Sequence, residues 1–134
     1  MSSTPRSTRS PAADDAGSAV VEFVLVGALL VVLAVGLFQL ALTLHVRNIL
    51  LSSASEGAHV GALADRQPAD GAARASALAT AALGGREVVA TANEAPSGSG
   101  TVVAVTLSSP VPVLGLWGAG TITVTAHAIG EGDG

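Results

Sequence analysis

Glu22 is the first residue in this chain whose position calls for chemistry. It stands directly before Phe23–Leu44, a run of 22 residues without a charge, 18 of them apolar. A charge at the centre of a membrane span costs about 2.5–3.5 kcal/mol on insertion scales, whereas in the headgroup region a carboxylate costs little and marks the helix start. The preceding residues offer a second role. In Gly17-Ser18-Ala19-Val20-Val21-Glu22-Phe23, a cut after Gly17 makes Ser18 a new N-terminus, with its ammonium four positions before the acid. Positions i and i+4 share a helix face, so the two charges can neutralise each other within a chain or between chains. Between packed chains, such a pair fixes the axial register.

The other reactive side chains form no constellation. His45, His59 and His127 lack metal-ligand spacing, and no two of them lie at i,i+4. Ser and Thr are abundant, yet no Gly-x-Ser-x-Gly turn and no Ser/His/Asp set stands out. All six basic residues are Arg, so no phosphate loop ending in Gly-Lys is possible. Without Cys there is no disulfide, thiol chemistry or thiolate metal site. A net charge of -4, no basic stripe and only three aromatic residues argue against nucleic-acid binding. The expectation is a protein with no catalytic site, metal, cofactor or small-molecule substrate.

The elements that would position Glu22 follow from hydropathy and period. At about 1.5 Å per residue the uncharged run is about 33 Å long, enough to cross a hydrocarbon core of roughly 30 Å. It is too long for a secretory signal core of about 7–15 residues, and no small-residue cleavage site follows it, so it reads as an anchor. Residues 1–17 are polar and rich in Ser, Thr, Pro and Ala, and are expected to be a disordered leader. Arg6 and Arg9 against Arg47 favour a cytoplasmic N-terminus, with residues 67–134 as an extracytoplasmic head.

The helix is expected to continue past the membrane, spanning 18–66, until Gln67-Pro68 ends it. Pro68, Asp70 and Gly71 read as a turn, and Ala72–Leu83 as a short Ala-rich helix stopped by Gly84-Gly85. The period then changes. Glu87–Ala92, Thr101–Leu107 and Thr121–Ile129 are β-branched runs between turn-rich stretches, with a hairpin loop at Ala95–Gly100. In the last run Ile122, Val124, Ala126 and Ala128 alternate with Thr121, Thr123, Thr125 and His127, a strand with one buried face. The fold class is α+β: a long membrane-spanning helix leading into a small head with a short helix and a three-stranded antiparallel sheet. The extramembrane half of the long helix should cover that sheet.

Two further features bear on partners. Gly27, Ala34, Ala41, Asn48, Ser55 and Ala62 recur every seven residues beside Leu30, Leu37, Leu44, Leu51 and Ala58. Small side chains on one stripe let a second helix approach closely in a membrane, although an Ala-rich chain produces such stripes by chance. Leu114, Leu116 and Trp117 form an apolar cluster in the connection between the last two strands. It reads either as a cap on the small core or as a contact patch.

The motif from Gly17 to Phe23 resembles the type IV pilin and pseudopilin families. In those, a polar leader ending in Gly precedes a hydrophobic stalk whose fifth mature residue is Glu. The resemblance is more specific over Gly17–Leu63, which looks like the TadE-like domain of tight-adherence (Flp) pilus systems. The opening G-x-A-x-V-E-F is present, as is a later Asn48 followed by Ala54, Glu56, Gly57 and Ala58 in an A-x-E-G-A group. Two positions depart from the family pattern. Val26-Gly27-Ala28 stand where a Pro usually follows the Glu, and His59 stands where an Arg commonly follows the Gly-Ala pair.

The resemblance implies a pilin-like fold, a leader removed after Gly17 by a prepilin peptidase, and Glu22 with Phe23 at the assembly end of the stalk. It implies a minor pilin or pseudopilin that meets other pilin-like subunits and the pilus assembly platform at the cell membrane. The rival expectation is a permanently anchored extracytoplasmic binding module with an uncleaved helix.

Overall fold

The computed structural model describes residues 11–98, 100–111 and 120–130. The element order is α1 (Pro11–Gly61), α2 (Pro68–Ala82), β1 (Val89–Ser97), β2 (Gly100–Val111) and β3 (Gly120–Ile129). A long apolar N-terminal helix, a shorter helix and a three-stranded antiparallel sheet make the fold α+β with a pilin-like layout. Two compact units divide it, residues 1–38 and 39–134.

In the first unit, the described residues belong to α1 and their side chains are exposed, with Gly27 half-buried. The helix starts earlier than the sequence suggests, so Gly17 and Ser18 are helical. Pro11 supplies a pre-set φ at the helix start, and Asp14 in the first turn meets the positive end of the helix dipole. No Pro interrupts the span, and the helix runs unbroken through Val26-Gly27-Ala28.

In the second unit the remainder of α1 acquires a buried face: Val46, Leu50, Ser53, Ala54, Gly57, Ala58 and Gly61 recur at helical spacing. The helix ends at Gly61, and α2 begins at Pro68, four residues before the expected start. The residues read as a turn are its first turn instead. Pro68 opens the helix, where its missing N–H costs nothing. Asp70 accepts a 3.0 Å hydrogen bond from the Gln67 backbone N–H, which satisfies a donor at the helix entry. At the other end Gly84 and Gly85 adopt φ of 69° and 84°. Gly85 N–H donates to the Thr80 carbonyl at 2.8 Å and Gly84 N–H to that of Ala81 at 3.3 Å, a Schellman stop.

The strand order is β1-β2-β3, with both pairs antiparallel. Val89↔Ser108 through Ser97↔Gly100 sets the first register and Val102↔Ile129 through Val111↔Gly120 the second. The strands outrun the β-branched stretches, so Ala95 and Pro96 are paired with Val102 and Thr101 rather than looping out. Gly98, at φ 48°, makes the turn. Alternation is strict along β2, where Val103, Val105, Leu107, Ser109 and Val111 are buried. Ala90, Ala92, Ile122, Val124, Ala126 and Ala128 share that face. The opposite face is hydroxyl-bearing, with Thr106 and Thr125 bonded at 2.9 Å and Ser108 and Thr123 at 3.2 Å. As expected, the later part of α1 packs with the sheet's apolar face in one core, and α2 joins it through Ala75 and Ala79.

The tightest contact is the crossing of α1 and α2. A Cβ at Gly57 would lie 2.5 Å from both the Ala75 Cβ and the Gly71 carbonyl oxygen. A Cβ at Gly71 would collide with the Gly57 carbonyl oxygen. Gly57→Ala should therefore destabilise the second unit by about 1–3 kcal/mol despite alanine's better helix propensity, because overpacking outweighs it. Gly36→Ala, where nothing lies within 4 Å, should not lower the melting temperature followed by circular dichroism in micelles.

Two hydroxyls tie down the segment between α2 and β1. Ser76 Oγ donates to the Val88 carbonyl, and buried Ser109 Oγ to that of Glu87, each at 3.3 Å. Ser109→Ala should cost about 1 kcal/mol in the same melts and speed amide exchange at Val88 and Val89.

Candidate functional site

The residues expected to serve processing and assembly, Gly17, Ser18, Glu22 and Phe23, lie on exposed surface of the first unit. Ser18 and Glu22 are separated by four positions of continuous helix, which places them one above the other on one face. Both are exposed, as is Phe23 at 78% of its full accessible area. A helix cut after Gly17 would begin at Ser18 with its free amine within one turn of the carboxylate. The N–H groups of that first turn would add positive potential on the same side. Opposite charge and a helix dipole would then converge at one end of a hydrophobic surface. Among the described residues, no group of three or more His, Cys, Asp or Glu is placed to hold a metal.

The apolar run beyond it presents an unpartnered side-chain surface. From Val20 to Leu44, all Val, Leu and Phe residues except Leu42 are exposed. α1 is long and apolar enough to cross a membrane, which suits a single-pass membrane protein. Of the seven-residue stripe, Gly27 is half-buried and Ala34 and Ala41 are exposed. The stripe changes surroundings in the second unit. Asn48 lines a groove, Ser55 is exposed and Ala62 is buried in the core. A straight helix drifts about 20° per heptad relative to a strict seven-residue repeat, so the stripe cannot stay on one face over its whole length.

That groove, of about 630 Å³, runs between α1 and α2. Asn48, Ser52 and Glu56 stand in one row and Arg74, Leu78 and Ala82 in the facing row. It brings together residues that sequence reasoning left apart, and the only sequence signal was their i,i+4 spacing. Of the A-x-E-G-A group, Glu56 faces this groove, Ala54 and Ala58 are fully buried, and Gly57 is the crossing point with α2. The later half of the motif is thus packing chemistry. His45, His59 and His127 are exposed, and His45 lines this groove. Leu114, Leu116 and Trp117 lie outside the described residues; the connection that carries them joins Val111 to Gly120, the final pair of the β2–β3 ladder.

No curated protein and no solved structure matches the chain significantly. A family model does: that of the TadE-like proteins, over residues 17–59. The match opens on Gly17, takes in Glu22 and the apolar run, and closes at His59, just beyond the Gly57 crossing. The family is associated with tight-adherence pilus assembly, and residues 17–59 of this chain are similar to it.

Proposed function

We propose that the chain is a minor pilin or pseudopilin-like structural subunit of a tight-adherence pilus system. The observation that carries this reading is the placement of Ser18 and Glu22 one helical turn apart at the head of an exposed apolar surface. A leader peptidase acting on the cytoplasmic side cuts after Gly17, and the mature chain begins with an ammonium beside its own acid. In an assembly, the acid of one subunit meets the amine of a neighbour, and the apolar helices pack around that register.

The helical state of the junction adds a kinetic element. Residues 11–17 precede the cut in the same helix, so a peptidase must first unwind this end. Gly17 eases that step, since glycine weakens a helix interior by about 1 kcal/mol relative to alanine.

A reading from another class, an uncleaved anchor holding an extracytoplasmic binding module, draws support from the α1–α2 groove, which is large enough for a ligand. The N-terminus separates the two. Mass spectrometry of the membrane fraction, with and without a co-expressed prepilin peptidase, should give a start at Ser18 only when the peptidase is present. Gly17→Leu should abolish the cut. An intact N-terminus beside an active cognate peptidase would refute the pilin reading.

Glu22→Ala should leave cleavage and membrane insertion intact while reducing crosslinking to pilin-like partners. Glu22→Asp should retain part of it, because the charge stays but its reach shortens. Equal crosslinking in wild type and Glu22→Ala would remove the acid from the assembly step.

A further inference from the structure

Arg86 is 39 residues beyond Arg47 in the chain, yet the fold brings it back to the place where α1 leaves its apolar run. α2 returns antiparallel along α1, from the Gly57–Gly71 crossing to a shallow cavity of about 190 Å³. That cavity is lined by Leu42, His45, Val46, Ala82, Leu83 and Arg86. Leu42 and Leu44 are the last apolar residues of the uncharged stretch, and His45 and Arg47 are the first polar ones after it. Arg47 and Arg86 are exposed, and among the described residues neither is ion-paired.

The described acids of this unit lie mostly elsewhere. Glu56 is in the groove 11 positions along α1 from His45, Asp65 and Asp70 flank the α1–α2 connection, and Glu94 lines a separate cavity with Gly61, Pro68 and Gly130. Glu87 is the exception. It follows Arg86 directly, and its backbone carbonyl is held by Ser109. Among the described residues, two guanidinium groups against one carboxylate leave this end net positive.

We infer that this end of the second unit is a binding surface for anionic phospholipid headgroups. Leu42 and Leu44 sit at the acyl boundary, while Arg47 and Arg86 donate charge-assisted hydrogen bonds to headgroup phosphates one level above. Guanidinium geometry suits a phosphate oxygen pair, and the exposed side chains can extend along the interface. His45, which lines the same cavity as Arg86, offers a further ring N–H donor. The surface rests on α1 spanning a membrane and is independent of any role in a pilus.

The test uses the full chain reconstituted in phosphatidylcholine liposomes carrying a trace of spin-labelled phosphatidylglycerol or spin-labelled phosphatidylcholine. The motionally restricted fraction of each label gives their relative association with the protein. The anionic lipid should be preferred, and Arg86→Gln should lower that preference about fivefold, in keeping with the attraction of one arginine near a charged surface. Arg86→Lys should retain most of it, and Arg74→Gln, in the groove wall, should retain all of it. Added inorganic phosphate should reduce the preference no more than sodium chloride of equal ionic strength.

Equal association of both lipids with the wild-type chain, or a preference unchanged in Arg86→Gln, would overturn the inference. So would competition by phosphate beyond the salt effect, which would make this a free-anion site. A chain that does not float with the liposomes overturns the membrane-spanning reading as well, whereas one that floats without lipid preference overturns the headgroup surface alone.

Discussion

The approach of α1 and α2 at Gly57 and Gly71 is the constraint on which the second unit depends. With no side chain on either residue, one backbone rests against the other, and a single methyl on either would meet a carbonyl oxygen. Such an approach fixes both the separation and the axial position of α2, because only at this level can the helices come so close. From there the rest follows geometrically. The α2 alanines Ala75 and Ala79 are set into the core, its C-terminal end is carried back to Val46, and the segment to β1 is delivered where Ser76 and Ser109 can bond it.

The core built around that crossing is made largely of small residues. Ala54, Ala58, Ala62, Ala75 and Ala79 are buried but each contributes little apolar area, at about 0.8 kcal/mol per buried methylene-sized group. The larger contributions come from Val46 and Leu50 on α1 and from Val103, Val105 and Leu107 on β2. β2 is the central strand and presents a buried residue at every second position, so it links the two helices to both edge strands. The alanines bring elements close; the valines and leucines hold them there. The opposite face needs no cover, since its threonine and serine hydroxyls bond each other across the strands.

α1 carries two kinds of chemistry along one helix. From Phe23 to Leu44 its surface is apolar and its side chains, Gln39 and Leu42 aside, are exposed; from Val46 one face is buried in one core with the chain's own sheet and second helix. The TadE-like match spans both regimes, and the two halves of its motif have different reasons. Gly17, Ser18 and Glu22 are exposed and make few contacts within the chain. Ala54, Gly57 and Ala58 answer to packing within it.

The sequence by itself determined the elements. Twenty-two uncharged residues dictate a helix that can lie in a membrane, a Gly-Gly pair stops α2, and β-branched alternation makes three strands with one buried face. The Ser18–Glu22 relation is also sequence-determined, because spacing on a helix is fixed by the helix itself. Local reading failed where two local signals competed. Pro68, Asp70 and Gly71 are turn formers in isolation, but Pro at a first helical position with an acid accepting the preceding N–H is equally a helix start, and packing at Gly71 decided for the helix. Tertiary structure alone decided which glycine is a contact rather than a flexible point, and which stripe residues leave the surface. It alone brought Arg86 back beside Leu42 and His45. Those depend on distances between segments far apart in the chain, and no local periodicity encodes them.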